Sequence, residues 1–243
     1  CEPFLLPPHR TLPASSATGE NTYNIPAPDR TVMDAAQYRL DNLAKPIHSL
    51  GFLEHIAVQL AGITGKIRLP SNSRAALCLL SGGEELPAER HAIIFAMTAA
   101  RDIDVYLLPA AIDCAERHAA VHAVAADHPL LILGSMGSDA AAVRTALCAA
   151  AEGGALVLPG DAATDHVVRE YCVTSPALTH YVLHFLPEMI TAEIDAPAGI
   201  VGILGLEIVR AALHIMNDMK TFTEAKVAVA IDGAGAGRQE REE

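Results

Sequence analysis

The chain has 243 residues, 51% of them hydrophobic and 19% charged, with a formal net charge of −12 and only 17 Lys and Arg. Such a length and apolar content provide for a sizeable buried core, while cations scattered singly under a negative excess exclude nucleic acid and anionic membrane surfaces as partners. Aromatic residues make up 4% and Trp is absent, so the core must be built from Ala, Leu, Val and Ile.

In chain order, residues 1–31 are rich in Pro, Ser, Thr and Asn and read as an extended or disordered arm. Residues 32–70 predict a helical hairpin. Its first helix runs from Asp34 to about Asn42, and its second follows the Lys45-Pro46 break, with Leu53, Ile56, Ala57, Leu60 and Ile63 on one face before Gly65. Residues 71–226 predict the α/β core and closing helices. Ala75–Leu80, Val105–Leu108, Leu130–Leu133 and Ala155–Leu158 are short aliphatic runs separated by helix-length stretches, which is the rhythm of parallel strands joined by crossovers. The fold class is therefore α/β, a Rossmann-like parallel sheet flanked by helices. The segment from Ala162 to about Glu224 reads as mostly helical, and residues 227–243, rich in Gly and charge, as a disordered tail. No uninterrupted apolar run reaches the roughly 18 residues a membrane span needs, so a soluble protein is expected.

The strands end in small or turn-forming residues: Ser81-Gly82-Gly83, Pro109, Gly134-Ser135 and Pro159-Gly160-Asp161. Ligands of open parallel sheets bind beyond such ends. Of these, Gly134-Ser135-Met136-Gly137 predicts a turn before a helix that opens near Asp139, where exposed N–H groups could receive an anion; a plain glycine bend is the alternative. His118 and His122 stand four apart, as do His180, His184 and Glu188, but eleven histidines generate such spacings by chance, and no metal or cofactor is expected. Glu84 and Glu85 read as solvated loop carboxylates. The five cysteines, Cys1, Cys78, Cys114, Cys148 and Cys172, show no CxxC spacing, and the last four read as buried thiols of a reducing cytoplasm. Cys1 in place of an initiator Met is read as the edge of an incomplete reading frame.

The stretch from Ala35 to Glu54, containing Arg39-Leu40-Asp41, Lys45-Pro46, Ser49-Leu50-Gly51 and Leu53-Glu54, then Gln59-Leu-Ala-Gly-Ile-Thr-Gly65, resembles the signature of the nicotinate-nucleotide:dimethylbenzimidazole phosphoribosyltransferases. That family reads R-L-D-x-L-x-K-P-x-G-S-L-G-x-L-E and then Q-L-A-G-I-x-G. Leu131 to Gly137 is similar to its L-G-E-M-G-I-G-N loop, and Asn217 to Ala225 to its closing N-E-M-A-T-F-x-E-A helix. The resemblance implies an α/β domain with a small helical lobe made from the two chain ends, and a dimer formed with itself or with a longer homologue. It further implies transfer of phosphoribose from nicotinate mononucleotide to an aromatic base of the benzimidazole type, in the cytoplasm.

Carried over by position, Ser81, Gly82, Gly134, Ser135, Met136 and Gly137 are expected to bind substrate. Thr191, in a Thr191-Ala-Glu193 run that resembles the family's S-A-E, is expected near the phosphate. The departures cluster at the site. Ser135 replaces a glutamate, Asp139 and Ala140 replace a glycine and an asparagine, and Ser81-Gly82-Gly83 stands where the family has A-D-H-G. The R-L-G-E-G-T-G loop that supplies the family's general base is absent between Leu204-Gly-Leu206 and the closing helix, which leaves Glu193 or Asp195 as substitute bases, or a non-catalytic subunit as the alternative.

Overall fold

Runs that are apolar on both faces can satisfy their backbone only inside a sheet. In the computed structural model, which describes residues 23–83, 88–185 and 198–226, they form β1 (Ala75–Ser81), β2 (Ile103–Leu108), β3 (Leu130–Met136) and β4 (Leu156–Pro159). The strands are all parallel, in the order β2-β1-β3-β4. Helices α3 (Ala88–Ala99), α4 (Cys114–Asp127) and α5 (Ala140–Glu152) make the crossovers, and α6 (Ala162–Thr174) follows β4. Leu77, Leu131, Ile132 and Leu158 are wholly buried, and the small side chains of α5, Ala146, Ala149, Ala150 and Ala151, are buried with them. The α/β parallel sheet expected from the sequence is the fold observed.

Contacts divide the chain into two units, Cys1–Ala27 with Ser73–Leu206, and Pro28–Asn72 with Glu207–Glu243. The first holds the sheet. Its residues after the 3-10 helix Pro176–Tyr181 run beside β4, where Val182 bridges Val157 in parallel and the Leu183 N–H donates to the Val157 carbonyl at 3.0 Å. At its other end the Tyr181 hydroxyl donates to the Pro26 carbonyl at 2.8 Å, and Tyr23 stacks on His118. Residues 23–27 of the expected arm are thus tied to this unit.

The second unit contains α1 (Arg30–Asn42), α2 (Phe52–Thr64), the later turns of α7 (Ile200–Asp218) and the short α8 (Phe222–Ala225). Leu40, Leu43, Ala57, Ala61 and Met216 form its core. Helix α1 begins four residues before the expected Asp34 because Asp29 caps it, its carboxylate accepting the Val32 N–H at 3.1 Å. Between α1 and α2 lies a buried ion pair: Lys45 Nζ is 2.8 Å from Glu54 Oε1, which also accepts the Leu50 N–H at 3.0 Å. His48, where the quoted signature has glycine, is held at φ 57°, a left-handed conformation that histidine tolerates better than most residues. Its Nδ1 lies 3.7 Å from Glu54 Oε2.

Two expectations are corrected. Gly134, Ser135 and Met136 are not a turn but the end of β3, and the bend falls at Gly137, the one residue of the four with positive φ, at 70°. Cys114 is exposed at the start of α4; Cys78 and Cys148 are buried, and burial pushes their thiols up to about 12 and about 11. Helix α7 is long and apolar enough to cross a bilayer by length and composition, although Glu207 and Arg210 interrupt its apolar run. Its residues Val201, Ile203, Leu206, Val209, Leu213 and Met216 are buried inside the protein.

Replacing Lys45 by Ala leaves the Glu54 carboxylate buried without its cation. This should cost about 3–5 kcal/mol in urea unfolding. The double variant Lys45→Ala, Glu54→Leu should recover much of the loss, because no charge then remains to be desolvated.

Candidate functional site

The connection leaving β1 goes to β2 on one side, and the connection leaving β3 goes to β4 on the other. The carboxyl ends of β1 and β3 therefore flank the switch point where open α/β sheets receive ligands. Ser81 and Gly82 end β1 there, and Met136 and Gly137 end β3. The structure brings these two sequence-predicted groups into direct contact: Ser81 bridges Gly137 in antiparallel fashion and the Gly82 N–H donates to the Met136 carbonyl at 2.8 Å. A Cβ on residue 82 would collide with the Gly137 carbonyl, so only glycine fits. Gly134 lies lower, where its missing Cβ gives room to the backbone of Gly199 and to Leu79.

The N–H groups of this rim already have internal partners. The Ser135 N–H donates to Asp161 Oδ2 at 2.7 Å and that of Ser138 to Ser135 Oγ at 3.2 Å; the two serine hydroxyls are 2.6 Å apart. The Gly83 N–H donates to Ser81 Oγ at 3.1 Å. Both helices that open here carry their own anion, since Asp139 accepts the Ala142 N–H at 2.7 Å and Asp161 the Thr164 N–H at 2.9 Å. Burial pushes the Asp161 carboxyl up, and the N–H groups of Ser135 and Thr164 oppose that. Carboxylates thus meet the positive ends of these helix dipoles, and an incoming anion would have to compete with them.

One turn into α6, Asp165 is buried between two cations or potential cations. His184 Nδ1 is 2.6 Å from its Oδ1, and Arg169 Nε is 2.6 Å from its Oδ2. Burial alone would raise this carboxyl, but His184 and Arg169 hold it below the usual carboxylate range.

Residues 25–100 match a family model described as Phosphoribosyltransferase. Over 62 residues the chain is 44% identical to the nicotinate-nucleotide–dimethylbenzimidazole phosphoribosyltransferase of Clostridium tetani, a stretch covering 26% of this chain and 17% of that protein. Through this segment the chain is similar to that phosphoribosyltransferase family. The relative of the same name from Desulforamulus reducens is 45% identical over 65 residues, 27% of this chain and 18% of its own length. The matched segment is thus less than a fifth of either relative. Two crystal structures from Thermus thermophilus share the fold. CobT gives a TM-score of 0.63 at 15% identity, covering 82% of this chain and 100% of that one, and nicotinate-nucleotide-dimethylbenzimidazole phosphoribosyltransferase gives 0.58 at 18%, covering 83% and 100%.

Of the family-derived site residues, Thr191 and Glu193 lie outside the described residues, as do Asp195, Glu84, Glu85 and Glu188. His118 pairs with Glu152 at 2.7 Å and stacks on His122. His180 and His184 do not share a helix face, because the 3-10 helix ends at Tyr181 and His184 is extended. Sequence reasoning assigned no role to Asp161 or Asp165; the signal for Asp161 is an Asp placed immediately before a helix-length segment, as at Asp113 and Asp139. Among the described residues, ligand atoms of Asp41, His48 and Glu54 lie within 4.8 Å of one another, but the Lys45 ammonium already occupies that carboxylate.

Because the native carboxyl of Asp165 is lowered, its contribution to stability is present above the ordinary Asp pKa of about 4 and is lost as pH falls through the native value. Asp165→Asn should therefore be less stable than the parent near neutral pH, and the gap in urea midpoints should narrow in acid below about pH 4.

Proposed function

We propose that this protein acts in cobamide lower-ligand synthesis as a phosphoribosyltransferase, moving phosphoribose from nicotinate mononucleotide to a ring nitrogen of a benzimidazole-type base. The observation that carries this reading is a coincidence of sequence and place: a chain with the family signature in residues 25–100 also sets its Leu131–Gly137 segment at the switch point of the sheet. Ser81, Gly82, Gly134, Ser135, Met136 and Gly137 belong to the substrate loops in this reading, with Thr191 near the phosphate and Glu193 one candidate for the base.

The chemistry asks little of the rim beyond positioning. The pyridinium nitrogen of the donor is already cationic, so when the C1′–N bond breaks its electron pair returns to that nitrogen and neutralises it. Holding donor and acceptor in line supplies much of the rate, and a proton acceptor for the incoming base supplies typically about 10²–10⁴ more. A rim with its own carboxylates at both helix starts suits a neutral aromatic ring better than a second anion.

A second reading, a non-catalytic subunit paired with a longer homologue, draws support from α7. The helix is continuous from Ile200 through Leu204-Gly205-Leu206 to Asp218, which leaves no loop there to carry the family's usual base. Co-expression with such a homologue tests it; failure to co-purify, together with unchanged partner activity, would sink it.

For the first reading, purified protein given nicotinate mononucleotide and dimethylbenzimidazole should release nicotinate, followed by chromatography. Gly82→Ala should lower that rate by at least about tenfold, because displacing the Gly137 carbonyl shifts the loop that holds the ring. Absence of nicotinate release by the parent protein at all concentrations defeats the enzymatic reading.

A further inference from the structure

We infer that His184, oriented by Asp165, accepts the proton that the incoming base must lose. This rests on the transferase reading above. The geometry supplies each part of a base and its orienting group. Val182 bridges Val157, and Val157 pairs with Leu131. Two residues on, His184 lies past that bridge in the direction of the carboxyl end of β4, with its ring against Asp165 of α6.

The dyad is also joined to the rim by a continuous run of hydrogen bonds. The Ser135 N–H meets the Asp161 carboxylate at 2.7 Å, the Asp165 N–H meets the Asp161 carbonyl at 2.9 Å, and the Asp165 carboxylate meets His184 at 2.6 Å. A carboxylate only accepts, so the neutral imidazole donates from Nδ1 and presents a lone pair on Nε2. The Asp165 side chain is 6% exposed and that of His184 25%, which leaves the ring reachable and its orienting group sheltered. Arg169 alone would neutralise Asp165, so anchoring the carboxylate does not require the histidine.

Asp161 and Asp139 are also acids at the rim, but each is committed to capping its helix, Asp161 accepting the N–H groups of Ser135 and Thr164 and Asp139 that of Ala142. His184 fits the task in ordinary chemistry too, since an imidazole nitrogen with a free lone pair is a common general base.

In the balanced step, one ring nitrogen of the benzimidazole donates its lone pair to C1′ of the nucleotide, forming the new C–N bond. The C1′–pyridinium bond breaks, and its electron pair leaves with nicotinate. The azole is now cationic, and its N–H proton passes to Nε2 of His184. The resulting imidazolium is paired with the Asp165 carboxylate until it returns the proton to water.

The experiment compares the parent protein with His184→Ala in the nicotinate-release assay, with and without added imidazole. The expected result is a loss of about 10²-fold or more that imidazole partly restores. A His184→Ala rate within about threefold of the parent, or a loss that imidazole leaves untouched in a folded variant, overturns the assignment. If the parent itself releases no nicotinate, the transferase reading has failed. Dimethylbenzimidazole is then titrated into protein with ¹⁵N-labelled histidine: a shift of the His184 Nε2 resonance that Gly82→Ala abolishes sustains contact between dyad and base, and an unmoved resonance ends the proposal.

Discussion

Backbone meeting backbone at Gly134, Gly160 and Gly199 is the constraint on which the sheet-bearing unit depends. A Cβ at residue 160 would strike the Gly199 Cα, and one at residue 134 would lie 2.9 Å from the Gly199 nitrogen. The first turns of α7 can therefore settle on the sheet, with the Val201 N–H donating to the Gly160 carbonyl at 3.1 Å and Gly202 against Ile132. Gly160 is itself tied to β3 through the Leu133 carbonyl at 2.8 Å. The stretch that follows β4 is thus fixed from two sides, and Asp161 and Asp165 inherit their positions from it.

That fixed stretch explains why carboxylates dominate the rim. Helices α4, α5 and α6 each begin with an aspartate whose carboxylate accepts the N–H three residues on, at Asp113, Asp139 and Asp161. Such caps satisfy orphan donors locally and spend the positive end of each helix dipole on the protein's own charge. Asp161 goes further, because its second oxygen also holds the end of β3. An anion-binding turn keeps its N–H groups free, whereas this rim uses those of Ser135, Ser138 and Gly83 for internal order.

The strands were legible because burial on both faces leaves a near-continuous aliphatic run, and the hairpin because Leu53, Ile56, Ala57 and Leu60 repeat at helical spacing. What the sequence concealed was long-range. Glycine at 134 looks like a bend, but it is there because Gly199, 65 residues later, comes close. Asp29 reads as part of a Pro-rich arm, yet its carboxylate caps α1. The spacing of His180 and His184 imitates a helix face, yet the 3-10 helix stops between them, and the partner of His184 is Asp165, on another element. At the site, the meeting of Ser81-Gly82 with Met136-Gly137 followed from strand ends alone; the acid pair behind them did not, because tertiary hydrogen bonds leave no periodic trace.

The contact between residues 82 and 137 has a mechanical corollary. With a carbonyl filling the volume where a side chain would begin, the ends of β1 and β3 behave as one body rather than as two independent fingers. A molecule pressing on either would displace both, and heritable change at one would be tolerated only alongside a matching change at the other. The ends of these strands should accordingly drift as a coupled pair over evolutionary time, while the outer connections around them vary freely.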